Sequence, residues 1–479
     1  MNRKMVFNTL GRMSLACAAC LMLPAIVSLI YGEHKSMQAF VVVSAGAAAL
    51  GFLLLLIFRS KNQVIYAKEG FAIAALSWIG MSAIGAVPFV ISGEIPNYVN
   101  AFFETVSGFT TTGASILPDV EILSHGMHFW RSFTHWLGGM GVIVLVMAVV
   151  RNVSDRSIHL MRAEMPGPAV GKLVPRARDT AKILYLIYIA LTLTEVAFLW
   201  AGDMNLFEAF VHTFGTAGTG GFSIKNASIG AYGTYSQIVI TVFMLMFGLN
   251  FNLYYLLLMR KFRTVLKSSE MRLYFALFFV SACVITWNVS SMYSTLGGAV
   301  KDSAFAVSSI ITTTGYATTD MNAWPTLSKS ILLVLMCIGS CAGSTAGGLK
   351  VSRVILIFKQ ILREIKHMLH PRSVSAIKFE EKDVDEGTLK SAAIYLACYV
   401  LCLLTAFLLI SWERFGFESN LTATVSCFNN IGPYFSPTET CYANYSAFSK
   451  IVLSIMMMLG RLEIFPLIIG LSPATWKNK

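Results

Sequence analysis

Four times along this chain a short, hydroxyl-rich stretch closes on a glycine, each time between two apolar runs. The first is Ser107-Gly108-Phe109-Thr110-Thr111-Thr112-Gly113-Ala114-Ser115, and the third is Ser309-Ile310-Ile311-Thr312-Thr313-Thr314-Gly315-Tyr316. Aligned on the glycine, Thr216-Ala217-Gly218-Thr219-Gly220-Gly221-Phe222-Ser223 and Ser426-Cys427-Phe428-Asn429-Asn430-Ile431-Gly432-Pro433 follow. The agreement extends upstream, where Ala101-Phe102-Phe103-Glu104-Thr105 stands over Ala209-Phe210-Val211-His212-Thr213. Copies about a hundred residues apart describe a long, diverged repeat.

The runs around these stretches decide the fold class. The 479 residues are 56% hydrophobic and 13% charged, against about 25% charged in a soluble domain. That composition predicts an all-α, polytopic membrane protein. The net charge of +12 does not indicate nucleic acid, because Lys and Arg cluster between apolar runs as they do in cytoplasmic loops. Nine cysteines, most of them inside apolar runs, read as small fillers rather than disulfides or metal ligands.

A spanning helix needs about 20 apolar residues. Two runs, about 13–31 and 38–58, precede the repeats. The first is too long, and too poor in small residues at its end, for a cleaved signal peptide. Each repeat is then an apolar run, a half-polar segment and a second apolar run. The pairs of runs are about 70–92 and 126–150, 183–201 and 234–259, 273–293 and 326–358, and 389–411 and 448–470. The expected division is 1–66, 67–156, 157–268, 269–372 and 373–479. Junctions between repeats are basic (Lys61, Arg151, Arg156, Arg162, Lys172 and Arg176; Arg260, Lys261 and Arg263; Arg353, Lys359 and Arg363), whereas the half-polar segments are flanked by acids such as Asp119, Glu121 and Asp320. The excess of basic residues places junctions and both termini in the cytoplasm, with the half-polar segments dipping in from outside. Ten full spans and four re-entrant loops are expected.

A Thr-Thr-Gly segment cannot lie bare in lipid; non-helical backbone at membrane depth lines a water-filled path or is buried in protein. Four such segments around one axis make a ring of carbonyl oxygens, which replaces the hydration shell of a potassium ion. The expected filter residues are Thr111, Thr112, Gly113, Thr219, Gly220, Gly221, Thr313, Thr314, Gly315, Asn430, Ile431 and Gly432. None of the glycines adjoins Asp or Glu, which disfavours calcium and magnesium.

Taken together, these stretches make the chain resemble the TrkH/KtrB/HKT superfamily of potassium transporters, and within it the bacterial TrkH branch. The resemblance spans essentially the whole chain, including the two extra helices. It implies one polypeptide imitating a tetrameric potassium channel, with potassium as the transported ion and no bound cofactor. A serine at the first glycine goes with sodium permeation in that superfamily. Gly113 therefore implies potassium selectivity, although Asn429-Asn430-Ile431 breaks fourfold symmetry.

Two further features gain meaning beside it. Gly339-Ser340-Cys341-Ala342-Gly343-Ser344-Thr345-Ala346-Gly347-Gly348 concentrates glycines that each cost a helix about 1 kcal/mol, so a mid-membrane break is expected. The resemblance implies an intramembrane gate there, carried by Gly339, Gly343, Ser344, Thr345, Gly347 and Gly348. Lys350 is expected to face the pore or to snorkel. Arg461 lies inside an apolar run, which is costly and marks function by default. Glu463, two residues on, lies off its face of a helix. The resemblance implies that Arg461 is an electrostatic barrier near the gate. The pairs His125/His128 and His367/His370 lack a third ligand for zinc.

The implied function is potassium uptake across a bacterial inner membrane, by a homodimer regulated by a cytosolic, nucleotide-binding TrkA-type ring. The alternative is a broken-helix secondary carrier, against which four units of one orientation count. No HExxH, acidic cluster or Ser/His/Asp set suggests an enzyme.

Overall fold

The computed structural model describes residues 1–59, 66–141, 177–372, 375–380, 382–437 and 441–477. The expected basic residues Lys61, Arg151, Arg156, Arg162, Lys172 and Arg176, the boundary at 156/157 and the end of the first unit's second run (142–150) lie outside those residues.

The protein is an all-α membrane protein. Two helices, Arg3–Ile30 and His34–Ile57, form an antiparallel pair in front of the repeats. Small residues draw them together. A Cβ placed on Gly51 lies 2.8 Å from the Gly11 carbonyl oxygen. The Ser14 hydroxyl donates to Ala47 O at 2.6 Å, and that of Ser44 to Ala18 O at 2.8 Å. Serine donors in lipid thus bond carbonyls across the pair.

Each repeat opens with a long apolar helix: Ala67–Ser92, Ala177–Trp200, Ser269–Val289 and Glu386–Ile410. A short helix follows: Tyr98–Phe109, Leu206–Gly218, Leu296–Ile311 or Phe417–Phe428. Two of them start at asparagine N-caps. Asn97 accepts from Val99 N, and Asn205 with Glu208 forms a reciprocal capping box. The chain then returns in extended form and enters the second helix of the unit.

The sequence leads one to expect a break in the second helix of unit three alone. Instead this helix is interrupted in units two and four as well. In unit one, His125–Gly139 ends and Gly141 follows at φ +80°. In unit two, Thr234–Phe247 and Phe251–Leu258 meet at 90°, where the Asn250 side chain accepts from Asn252 N and restarts the helix. In unit three, residues 339–350 separate Thr326–Ile338 from Val351–Leu369. In unit four, Ala447–Arg461 and Phe465–Leu471 meet at 115°, with Glu463 and Ile464 in the left-handed region at φ +56° and +63°. Among the described residues, six helices are therefore long and apolar enough to span, or up to eight if each bent pair counts as one, where ten spans were expected.

The only strands among the described residues form a small hairpin, with Lys378–Phe379 antiparallel to Lys382–Asp383. It lies between units three and four.

Candidate functional site: a ring of four glycines and the loop beneath it

All four glycine stretches adopt one backbone shape. Each short helix runs into a residue in the left-handed region, Thr111, Thr219, Thr313 and Asn430, at φ +56°, +55°, +55° and +55°. Two residues later comes the glycine: Gly113 at +78°, Gly221 at +74°, Gly315 at +84° and Gly432 at +100°. A left-handed side-chain-bearing residue costs about 1–2 kcal/mol. Four in register indicate a conformation the site requires. The amides of Thr112, Gly220, Thr314 and Ile431 turn back to Ser107 O, Gly215 O, Ser309 O and Ser426 O at 2.8, 2.8, 2.8 and 3.0 Å. With these amides bonded inside each loop, the carbonyls are left to the centre.

The glycines close a ring in chain order. A Cβ on Gly113 lies 1.9 Å from Gly220 O; on Gly221, 2.0 Å from Thr314 O; on Gly315, 2.0 Å from Ile431 O. On Gly432 it lies 2.6 Å from Thr112 O. Each glycine therefore abuts the carbonyl just before the next glycine. The C-terminal ends of four helices, where the helix dipole is negative, converge on these carbonyls, an arrangement that favours a cation.

Hydroxyls brace the ring from behind. Thr110 Oγ1 and Thr112 Oγ1 share a hydrogen bond at 2.8 Å, as do Thr312 and Thr314. The fourth stretch has no such threonines. There Asn429 Nδ2 donates to Val425 O and to the Tyr399 hydroxyl, at 2.8 and 2.9 Å. Asn430 Nδ2 donates to Thr112 Oγ1 and to Met457 O, both at 2.9 Å. The amides thus replace the hydroxyl braces and also join unit four to unit one.

On the glycine side opens a cavity of about 390 Å³, with Gly113, Gly221, Gly315 and Gly432 in its lining. Its rim is stitched at every seam. Asn226 Nδ2 donates to Asp119 at 2.7 Å, Gly230 N to Ala317 O at 3.1 Å, Ser436 N to Asn322 Oδ1 at 3.0 Å and Tyr442 N to Ser115 O at 2.9 Å. A buried ion pair, Arg131 with Glu104 at 2.8 Å, stands behind it. The Arg131 guanidinium lies 4.1 Å above the Phe222 ring, so it braces units one and two together.

On the opposite side lies the unit-three loop. Gly339, Gly343 and Gly348 take positive φ (+71°, +70°, +78°), which glycine adopts without penalty. The neck closes on itself through Leu349 N to Cys337 O, Lys350 N to Ile338 O and Val351 N to Ser340 O. Gly347 N donates to Thr313 Oγ1 at 2.8 Å, and a Cβ on Gly347 lies 2.3 Å from Asn429 O. Thr345 Oγ1 donates to Phe247 O at 3.3 Å, and the Ser344 hydroxyl turns inward to Cys341 O. The loop sits directly against the inner end of the ring.

Arg461 is buried and reaches across three units. It donates to Thr345 O of the loop, and to Gly138 O and Gly139 O at the helix end of unit one, each at 2.5 Å. Glu463 faces elsewhere and holds Arg353 with both oxygens, at 2.9 and 2.5 Å. Lys350 is buried, and its Nζ donates to Ala346 O within its own loop. His125 pairs with Glu33 at 2.9 Å. Among the described residues no group of His, Cys, Asp or Glu could hold a metal ion.

The sequence-expected residues thus form two adjoining layers, the ring and the loop. Sequence reasoning missed Arg131 with Glu104, although an arginine in an apolar run is the signal that marked Arg461. It also missed Glu270 under the loop and the carbonyls of Gly138 and Gly139, which leave no mark in sequence.

Residues 36–477 match the model of a family described as TrkH, a cation transport protein. The chain is 34% identical to the Trk system potassium uptake protein TrkH of Escherichia coli K12, over the whole of both chains. It is 27% identical to the Trk system potassium uptake protein TrkI of Halomonas elongata, covering 99% of this chain and 97% of that one. The crystal structure of the potassium transporter TrkH from Vibrio parahaemolyticus superposes with a TM-score of 0.89 at 29% identity, over 100% of both chains.

Proposed function

The chain belongs to the TrkH family of cation transport proteins, and from that premise we propose that it is a potassium uptake permease of the bacterial inner membrane. Potassium enters the outer cavity, loses its water to the carbonyls of Thr112, Gly220, Thr314 and Ile431, and stops at the 339–350 loop until that loop withdraws. The observation that carries this reading is the closed cycle in which each glycine meets the carbonyl before the next. Neutral oxygens at the ends of four helix dipoles suit a weakly hydrated monovalent cation. Thr111, Thr219, Thr313 and Asn430 form the inner edge of the filter.

The loop is the gate and Arg461 its electrostatic barrier. A guanidinium spread over three carbonyls of two units sets a positive charge beneath the ring, and it must leave those carbonyls before the loop can move. The termini lie on one side, since Arg3 donates to Trp476 O at 2.7 Å, and the basic junctions make that side cytoplasmic. The permease works as a homodimer, set in membrane lipid, over a cytosolic TrkA-type nucleotide-binding ring. The repeats run 67–156, 157–268, 269–372 and 373–479.

The test is rubidium-86 uptake into potassium-loaded proteoliposomes, with potassium, sodium and lithium as competitors. Potassium competing well ahead of sodium is the expected result. No cation flux, even with a cytosolic partner added, overturns the reading in favour of a broken-helix carrier for another solute.

A further inference from the structure

The loop is held from the cytoplasmic side by a residue that its own helix does not need. Glu270 is the second residue of the helix Ser269–Val289, and the N-cap there is Ser268, whose hydroxyl accepts from Met271 N at 3.3 Å. The Glu270 side chain is free to turn inward, and it is buried. Its Oε1 accepts from Ala342 N at 2.7 Å and from Ser352 N at 3.1 Å. Ala342 enters the loop and Ser352 lies just past its exit. One carboxylate oxygen therefore draws both ends of the loop together, and buried amides with no other acceptor enforce the contact.

The same helix start is gripped from the cytosol. Glu380, exposed at the turn of the small hairpin, uses one oxygen to accept from Ser268 Oγ, Ser269 Oγ and Glu270 N, at 3.0, 3.2 and 3.2 Å. It does so at φ +50°, a conformation that a side-chain-bearing residue keeps only when its contacts enforce it. The hairpin is also fixed to the helix leaving the loop. Lys359 Nζ donates to Lys378 O at 2.7 Å, and Ile377 packs with Leu356 and Leu389. The hairpin thus spans the helix that carries Glu270 and the helix into which the loop runs.

Resting on the reading of 339–350 as a gate, we propose that Glu270 is the positioning residue that holds the loop shut, and that the Glu380 hairpin is the cytosolic handle through which it is released. Lifting the hairpin frees the start of the Glu270 helix. The carboxylate then moves off Ala342 and Ser352, and the neck of the loop can open.

The test is partner-free rubidium-86 uptake into proteoliposomes by the full chain and its variants, with sodium competition and detergent melting temperature measured beside it. Glu270→Ala is expected to raise uptake about tenfold, the effect of losing a charge-assisted hydrogen bond. Glu270→Gln keeps an accepting oxygen and should stay within about twofold of the parent. Glu380→Ala, an exposed change, should raise uptake about threefold, and the double variant should not exceed Glu270→Ala. The potassium-over-sodium ratio should not move in any of them. Uptake unchanged in folded Glu380→Ala and Glu270→Ala overturns the proposal, as does a Glu270→Gln as leaky as Glu270→Ala. Should Glu270→Ala not fold, Glu380→Ala decides alone. Absence of rubidium flux in the parent sinks the potassium reading and this one with it. Parent flux that no variant changes sinks this one alone.

Discussion

A side chain at Gly113 would have to occupy the place of its neighbour's carbonyl oxygen, 1.9 Å away. That oxygen belongs to the ring, so relief comes only by turning it aside. Gly113→Ser is expected to lower the potassium-over-sodium competition ratio about tenfold, equivalent to about 1.4 kcal/mol, measured by rubidium uptake. At Gly432 the nearest oxygen is 2.6 Å away, so Gly432→Ala should cost less selectivity than Gly221→Ala or Gly315→Ala. The reverse order would place the strain outside the ring. On the proposed gate reading, Arg461→Ala should raise partner-free flux about tenfold by removing the guanidinium that ties the loop to unit one, and Arg461→Lys should not restore the parent rate, because a single ammonium cannot span carbonyls on two sides. The glycines were legible because a position at positive φ that also abuts a neighbouring carbonyl admits no side chain and so marks the sequence. Lys350 was not, because its partner is a backbone oxygen of its own loop.

The second helix breaks in units two, three and four, and the three breaks have different chemistry. The unit-three break is written in glycines and could be read in advance. The unit-two break depends on the Asn250 cap and the unit-four break on Glu463 and Ile464 at positive φ. Gly248 and Asn250 in unit two, and Gly460 and Pro466 in unit four, are isolated breakers inside long apolar runs, so the runs read as continuous. The loop that fills the unit-three break leaves no room beside Asn429 O, 2.3 Å from a Cβ on Gly347. Gly347→Ala should therefore push the loop away from the ring and raise partner-free flux about tenfold, as overpacking of about 1–3 kcal/mol implies. Rubidium uptake checks it, and a sodium competition ratio equal to the parent's would localise the effect to the loop.

Across the whole molecule the units are joined by polar contacts that apolar patterning cannot announce. The repeat architecture and its order along the chain could be read from periodicity and basic junctions. Which unit touches which could not, because a pair such as Asn226 and Asp119 is 107 residues apart, and Asn430 and Thr112 are 318 apart. Breaking the buried ion pair leaves one charge without a counter-ion. Glu104→Gln or Arg131→Met should each destabilise the protein by about 3 kcal/mol, and the double change should cost less than the sum. Thermal unfolding in detergent measures both. The ring itself has a consequence for how the protein is made. Its last seam joins Gly432 and Asn430 to Thr112, so three quarters of the ring can be in the membrane while the ribosome is still at work. Until the final unit is inserted the circle of carbonyl oxygens is incomplete, so on the proposed reading a nascent chain has no finished filter through which to pass an ion.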